Sequence, residues 1–344
     1  MRPSVMKLAT AVALAVSSLV PAIASAQDGP AFYKGKTIKF VVGFGTGGGF
    51  DAYARMIAPH LGKALDASVI VENQPGAGGI VALNRISAGP ADGLALMIVD
   101  GTPAALGQLL GQENVRYDLT KVDHLGMISS TRFAWLVPVN STLSNVADAR
   151  KLGRRMLFAS SGPTDGPTGS AAFACEALAM SCRVILGYKG SNDMMLAMQR
   201  GEVDANFLSE SSSSALLKSG QAKVIAVISR TRSPLMPDVQ TMFEQTKLDA
   251  DQQWLLDFRA NLNDLGRILV TSPGTEVSRL TALREAVRKV LTDAELMAEG
   301  LRTSRVLEYQ PPAAAEEKAR QVLGTLTPGI KERVRHIALK KYLE

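Results

Sequence analysis

The sequence predicts an α/β protein built as two lobes, and three observations carry that expectation. β-rich runs alternate with runs of helical apolar spacing, the pattern of a parallel sheet covered by helices. The alternation comes in two series, the second starting near Ala147. In each series a Gly- or Ser-rich loop follows a strand and precedes a helix, which puts donor-rich backbone at the C-terminal edge of a sheet.

The first series opens with a strand at Thr37–Val42 and a glycine loop, Gly43–Gly49. Asp51 stands where a helix N-cap is favourable. Ala54, Ile57, Ala58, Leu61 and Leu65 then repeat with helical spacing, and Pro59 among them is expected to kink or split the helix. A strand at Ser68–Val71, the loop Asn73–Gly79, a helix near Ile80–Ser87 and a strand at Leu94–Val99 complete βαβαβ. The second series has strands at Met156–Ala159, Arg183–Leu186, Val203–Leu208 and Lys223–Ile228. Between the first two lies a long Ser/Gly/Pro loop, Ser160–Gly169, followed by a helix through Leu178. Helices are expected at Asn192–Gln199 and Glu210–Leu217. A strand returns at Ile268–Thr271, and Val277, Leu280, Leu283, Val287, Val290 and Leu291 form a core-facing helical stripe. Ala313–Leu323 and Pro328–Leu343 are terminal helices. The organisation is therefore a leader at 1–26, a first lobe at 27–146, a second at 147–265, and a C-terminal segment at 266–344 that recrosses to the first.

The leader reads as an address. Met1–Lys7 is basic, Leu8–Val20 is apolar, and Ala24-Ser25-Ala26 is a small-residue cleavage signal, so cleavage is expected after Ala26. The apolar run is shorter than the roughly 20 residues a membrane span needs. The expected location is the periplasm. Removing Arg2 and Lys7 takes the formal charge from +6 to +4. The remaining basic residues are scattered, and aromatics make up only 5% of the chain, which speaks against nucleic-acid binding. Two cysteines remain, Cys175 and Cys182. Seven residues of continuous helix rise about 10.5 Å, too far for a disulfide. They bond only if the helix ends near Met180 and the chain turns back; otherwise they are two buried thiols.

Gly43, Gly45 and Gly48 spell G-x-G-x-x-G between strand and helix, with Glu72 where a ribose-binding acid would stand. Taken alone this is a dinucleotide fingerprint and suggests an oxidoreductase. Export removes the chain from the nicotinamide pool, and the Asp51 carboxylate would repel a pyrophosphate. The same physics serves another ligand. Glycines bring backbone N–H groups close to an anion, and a helix N-terminus adds partial positive charge. The loops Gly43–Asp51, Asn73–Gly79 and Ser160–Ser170 together make a cleft for a small carboxylate.

The runs YKGKTIKFVVGFGTGGGFDAYAR and VIVENQPGAGGIVALNRISAGPADGLAL resemble the first lobe of the tripartite tricarboxylate transporter substrate-binding proteins, the Bug or TctC-like family. MLFASSG and LGYKGSNDMMLAMQRGEVDANF resemble the second lobe, so the likeness covers nearly all of the mature chain. It implies a two-lobed periplasmic binding protein, type II-like, that closes on a small carboxylate like a Venus flytrap. The ligand would be a di- or tricarboxylate, an amino acid or an aromatic acid, delivered to membrane permease subunits by a monomer without a cofactor. Carried over, first-lobe contacts come from Phe44, Gly48, Gly49, Asp51, Ala77 and Gly78, with Gly47 and Gly79 in the same loops. Asp51 is expected to orient its loop rather than touch an anion. Second-lobe contacts come from Ser160, Ser161, Gly169 and Ser170, and Lys189 and Glu210 line the mouth. The chain departs from the family where Pro163-Thr164-Asp165-Gly166-Pro167 lengthens the second-lobe loop and Ala172-Phe173 replaces the usual His-Leu. Thr164 and Thr168 are candidates to replace lost donors. Asp165 in an anion site is costly unless it points outward or meets a cationic group.

No catalyst stands out. His60, His124 and His336 are isolated, no nucleophile elbow or P-loop is present, and no metal spacing appears. The serine run Ser211–Ser214 has no adjacent base and reads as a helix start or loop. A second role consistent with the same residues is a ligand sensor for a membrane kinase.

Overall fold

The computed structural model describes residues 29–188, 190–324 and 326–343. The leader and Lys189 therefore lie outside the described residues. Ten strands run in chain order: β1 Thr37–Val42, β2 Ser68–Asn73, β3 Ala95–Asp100, β4 Asp123–Ser129, β5 Phe133–Pro138, β6 Met156–Ala159, β7 Cys182–Ile185, β8 Asn206–Ser209, β9 Ala222–Ile228 and β10 Arg267–Thr271.

The first lobe is a five-stranded sheet in the order β2-β1-β3-β10-β4. β1 pairs in parallel with β2 and β3, whereas β10 runs antiparallel to β3 and β4. The interior of β3 is buried throughout, as expected of a strand covered on both faces. Helices Gly49–Leu65, Ile80–Ser87, Gly101–Leu109 and Val277–Leu291 supply the cover.

In the second lobe β8, β5 and β9 form an antiparallel sheet, and β6 and β7 a parallel pair. A bridge between Phe158 and Ala205 joins the two pieces. Trp135, Phe158 and Phe207 meet beneath them with ring centroids 5.3–5.9 Å apart.

The chain crosses between lobes at residues 130–132 and again after the helix Ala250–Asp264. That helix packs against both Gly166–Ala177 of the second lobe and Gly101–Leu109 of the first, so one apolar core is continuous behind the crossings. The segment after residue 266 touches both lobes. Pro312–Gly324 lies on β4, whereas Ile337–Lys341 lies on Gly166–Ala177, and the Val184 N–H donates to the Tyr342 carbonyl at 2.7 Å.

Some local expectations need correction, and others are met or decided. Gly49–Leu65 continues through Pro59. A helix-interior proline costs about 3 kcal/mol, but buried Ile57, Leu61 and Leu65 on either side each gain roughly 1.5–3 kcal/mol by burial. The N-cap of this helix is Gly48, and Asp51 is its third residue. The second-lobe helix starts at Gly166 rather than after Gly169, because Pro167 fits a first turn. Ser211–Ser214 lies in the first turns of the helix Glu210–Lys218. Cys175 and Cys182 are bonded, with Cα atoms 6.3 Å apart. The helix stops at Ala177, and Ala179, in the left-handed region, reverses the chain. β4, β5 and Ala250–Asp264 have no counterpart among the sequence-based expectations. An Asp249/Gln252 capping box marks the start of that helix.

Candidate functional site

The C-terminal ends of β1, β2, β3 and β4 and the start of β10 form one edge of the first sheet. In an α/β sheet this edge is the usual place for a ligand crevice.

The loops after β1 and β2 are built as one unit. A Cβ on Gly43 would stand 2.6 Å from Gly79 Cα, so the two backbones touch and position 43 admits only glycine. The Asp51 carboxylate accepts the Gly47 N–H at 2.8 Å and the Arg55 Nε–H at 3.0 Å. Asn73 Nδ2 donates to Asp51 Oδ1 and to the Phe44 carbonyl, each at 3.0 Å. Arg55 Nη2 returns to Asn73 Oδ1 at 3.1 Å. The Arg55 guanidinium, helped by the Gly47 and Asn73 donors, holds the Asp51 carboxyl below its usual range against the effect of burial. Asp51 thus spends its oxygens inside the loop, and Arg55 balances its charge. Gly45–Gly49 and Ala77 are left exposed, Gly78 half-buried, and Gly79 buried. Gly49, Phe50 and Asp51, in the first turn, have no intrahelical acceptor for their N–H groups. The Phe44 and Phe50 rings stack at 4.6 Å beside them.

The second-lobe residues divide into two sets. Ser160, Thr168, Gly169 and Ser170 are buried. Thr168 Oγ1 lies 2.7 Å from Ser160 Oγ and 2.6 Å from the Gly162 carbonyl. Ser170 Oγ donates to the Gly166 carbonyl at 2.7 Å and accepts from Arg259 Nε at 3.2 Å. Arg259, 0% exposed, also donates from Nη2 to the Gly166 carbonyl at 2.9 Å. These groups brace the loop from within. Ser161 and Thr164 lie on its outer side, exposed and half-buried. Asp165 makes no cap bond to the helix it precedes; its carboxylate accepts the Ser161 hydroxyl. Burial raises its pKa, opposed by the Ser161 and Gly162 bonds, and no cation pairs with it among the described residues.

Glu210 does not line the mouth. It is 3% exposed and accepts from Ser233 Oγ at 2.7 Å and from Arg132 Nη1 at 3.4 Å. Arg132 also grips Glu308, at 3.1 Å, so this trio ties the first crossing to the C-terminal segment. Burial raises the Glu210 carboxyl and Arg132 opposes it.

Sequence reasoning missed the charged floor of the same edge. Asp100 and Arg267 are register partners across β3 and β10. Half-buried Asp100 caps Gly101–Leu109 through the Thr102 N–H at 3.2 Å, and burial pushes it up to about 6 against the pull of Arg267. Arg267 lies over the rings of Tyr53 and Phe50, at 4.4 and 5.2 Å. Its Nη1 donates to Ser129 Oγ and Thr131 Oγ1, both at 3.2 Å. A charge heading the otherwise apolar strand RILVT was the available signal.

Fold and site together define a two-lobed solute-binding receptor. The family model described as the tripartite tricarboxylate transporter family receptor, TctC, matches residues 53–306, and the chain belongs to that family. Among curated relatives, a UPF0065 protein of Bordetella pertussis is 24% identical over 285 residues, covering 81% of this chain and 83% of its own. Protein BugT of the same species is 27% identical over 230 residues, with 62% and 66% covered. Among solved structures, the periplasmic binding protein BugD aligns with a TM-score of 0.70 at 20% identity, over 89% of this chain and 99% of its own. MatC from Rhodopseudomonas palustris, with bound malate, gives 0.69 at 18%, over 88% and 99%. R. palustris Rpa4515, with adipate, gives 0.69 at 21%, over 88% and 97%. These likenesses establish the fold. Among the described residues no helix is long and apolar enough to cross a membrane, and no group of residues is placed to hold a metal.

Proposed function

We propose that the protein is an extracytoplasmic receptor that binds a small carboxylate between its lobes and delivers it to the membrane subunits of a tripartite transporter. The observation that carries this is the joined pair of first-lobe loops. Asp51 and Asn73 hold them rigid while the N–H groups of Gly49 and Phe50 stay open at a helix N-terminus. Malate in MatC and adipate in Rpa4515 support the same class of ligand. The protein acts by closure and carries out no chemistry of its own. A ligand that prefers the closed state presents an altered surface to the permease. The mature receptor begins at Gln27, works in the periplasm as a monomer and needs no cofactor.

The test is thermal unfolding of the chain from Gln27 after one cycle of unfolding and refolding, which strips any resident ligand. The panel holds C4 to C6 dicarboxylates, citrate, acidic amino acids, aromatic acids and NAD. A ligand at 100 times its Kd adds about 2.7 kcal/mol to the folded state. Stabilisation by a carboxylate class is the expected result. Stabilisation by NAD alone, or by no carboxylate, overturns the proposal.

A further inference from the structure

We propose that the C-terminal helix is a strap across the back of the two lobes, with Arg335, Lys341 and Tyr342 as positioning residues that hold the cleft open and set how readily it closes. The inference rests on the receptor reading above in needing lobes that close, and on no particular ligand.

The last elements of the chain form one rod. The helix Pro328–His336 runs without a break into a π-helical turn, Ile337–Lys341. One end is fastened to the first lobe. Arg335 Nη2 donates to the Leu110 carbonyl at 2.8 Å, at the C-terminus of Gly101–Leu109, where helix carbonyls lack partners of their own. The other end is fastened to the second lobe. Lys341 and Tyr342 both donate to Glu176, at 2.7 and 2.6 Å, and the Val184 N–H donates to the Tyr342 carbonyl. Glu176 itself lies inside the loop closed by the disulfide Cys175–Cys182, which stiffens this anchor. Between the two ends, Arg333 forks onto Asp251 in the first turn of Ala250–Asp264. Val334, Ile337 and Ala338 are buried beneath the rod.

Its position gives these anchors a consequence. Gly101–Leu109 and Gly166–Ala177 both start at the cleft and run away from it. Their first residues are seated at the crossings between lobes. The Gly101 N–H donates to the Gly266 carbonyl at 2.8 Å, and Gly166 packs so closely on Phe133, next to the crossing at 130–132, that a Cβ there would overlap the ring. At 1.5 Å per residue, Leu110 lies about 14 Å down the first helix and Glu176 about 15 Å down the second. The crossings therefore stand between the cleft loops and the strap, as the pivot of a lever. Bringing the loops together about that pivot drives the far ends of the two helices apart, and the strap joins those ends. Gly45–Gly49, Ala77 and Ser161 are exposed, so the strap is fastened with the cleft open. Closure must stretch or bend it. The π-turn lies between the Arg335 and Tyr342 anchors, and irregularities of this kind are where helices bend. A receptor held open in this way closes only when a ligand supplies the difference between the two states.

The experiment measures lobe separation by pulsed electron spin resonance in the refolded chain from Gln27, without ligand. Spin labels go on Pro75→Cys and Leu186→Cys, exposed positions at the cleft edge of each lobe. The native cysteines are bonded to each other and do not react. The wild type is expected to give one long distance. Lys341→Met combined with Tyr342→Phe, which frees Glu176 and keeps the packing, should add a shorter distance in about a tenth of the molecules. Arg335→Gln, which frees the opposite end, should do the same. A rise in the closed fraction from about 1% to about 10% tightens binding about tenfold, read by calorimetry with malate and adipate. Tighter binding should accompany a lower unfolding temperature, whereas a merely structural role lowers the temperature without tightening anything. Unchanged ligand-free distances, longer ones, or a shift from only one of the two ends overturn the strap. If the double variant does not fold, Arg335→Gln decides alone. If no carboxylate binds the wild type, the receptor reading fails, and the ligand-free distances still decide the strap.

Discussion

A methyl group added at Gly43 would meet the Cα of Gly79, whereas at Gly45 or Gly49 it would meet open space. The three glycines look alike in the sequence and are unlike in cost. Gly43→Ala should separate the two loops, destabilise the fold by about 1–3 kcal/mol and weaken carboxylate binding at least tenfold. Gly45→Ala should leave stability nearly unchanged. Paired thermal unfolding and calorimetry distinguish them. At this scale the sequence disclosed residue types rather than partners. Asp51 could be read as a loop-orienting acid from its place after the glycines. Nothing local announced that Arg55 and Asn73, four and twenty-two positions away, complete its shell. Arg267 was hidden for the same reason: its hydroxyl clamps, Ser129 and Thr131, lie far upstream in the chain.

The helix Gly166–Ala177 illustrates what the element scale adds. Its first residues are Gly, Pro, Thr, Gly and Ser, a composition that reads as loop, yet burial against Arg259 and Phe133 fixes them as helix. Its end decides the cysteine question. The reversal depends on Ala179 in a left-handed conformation, where a glycine would have signalled the turn and alanine does not. The bridge closes a loop with a sequence separation of 7. The chain-entropy model gives such a loop about 2.5 kcal/mol. Replacing both cysteines by serine should therefore lower the urea midpoint by an equivalent amount. Reductant should do the same to the wild type and nothing to the variant. The C-terminal residues should loosen with it, because Lys341 and Tyr342 both bind Glu176 on this helix, at 2.7 and 2.6 Å.

At the scale of the whole molecule, stability in mild acid is the balance of opposing buried groups, and His124 contributes a loss. It is fully buried on β4, and burial, reinforced by Arg284 and Arg320, pushes its pKa down to about 4. The unfolded chain takes up this proton near pH 6.5, the folded chain only near 4. The contribution is complete above about pH 6.5 and is lost as pH falls toward 4, by roughly 3 kcal/mol. Asp100, pushed up to about 6, works in the opposite direction over the same window. The decisive quantity is thus the difference between wild type and His124→Gln: the variant should lose less stability between about pH 7.5 and 4.5 in thermal unfolding. The two-lobed plan was legible because each lobe repeats strand, donor loop and helix. Strand order was not, since periodicity records which face is buried and says nothing of which strand lies beside which.

The placement of β10 bears on how the protein is made. β4 enters the first sheet only through β10, which is synthesised after the entire second lobe. Until then β3 has a bare edge and β4 has no strand to join. The first lobe therefore cannot complete itself on a growing chain, and its slowest step is the capture of a strand more distant in sequence than any in the second lobe. A chain whose first half stays unfinished until its last third emerges remains loose for most of its synthesis, the condition under which a polypeptide can still be threaded across a membrane.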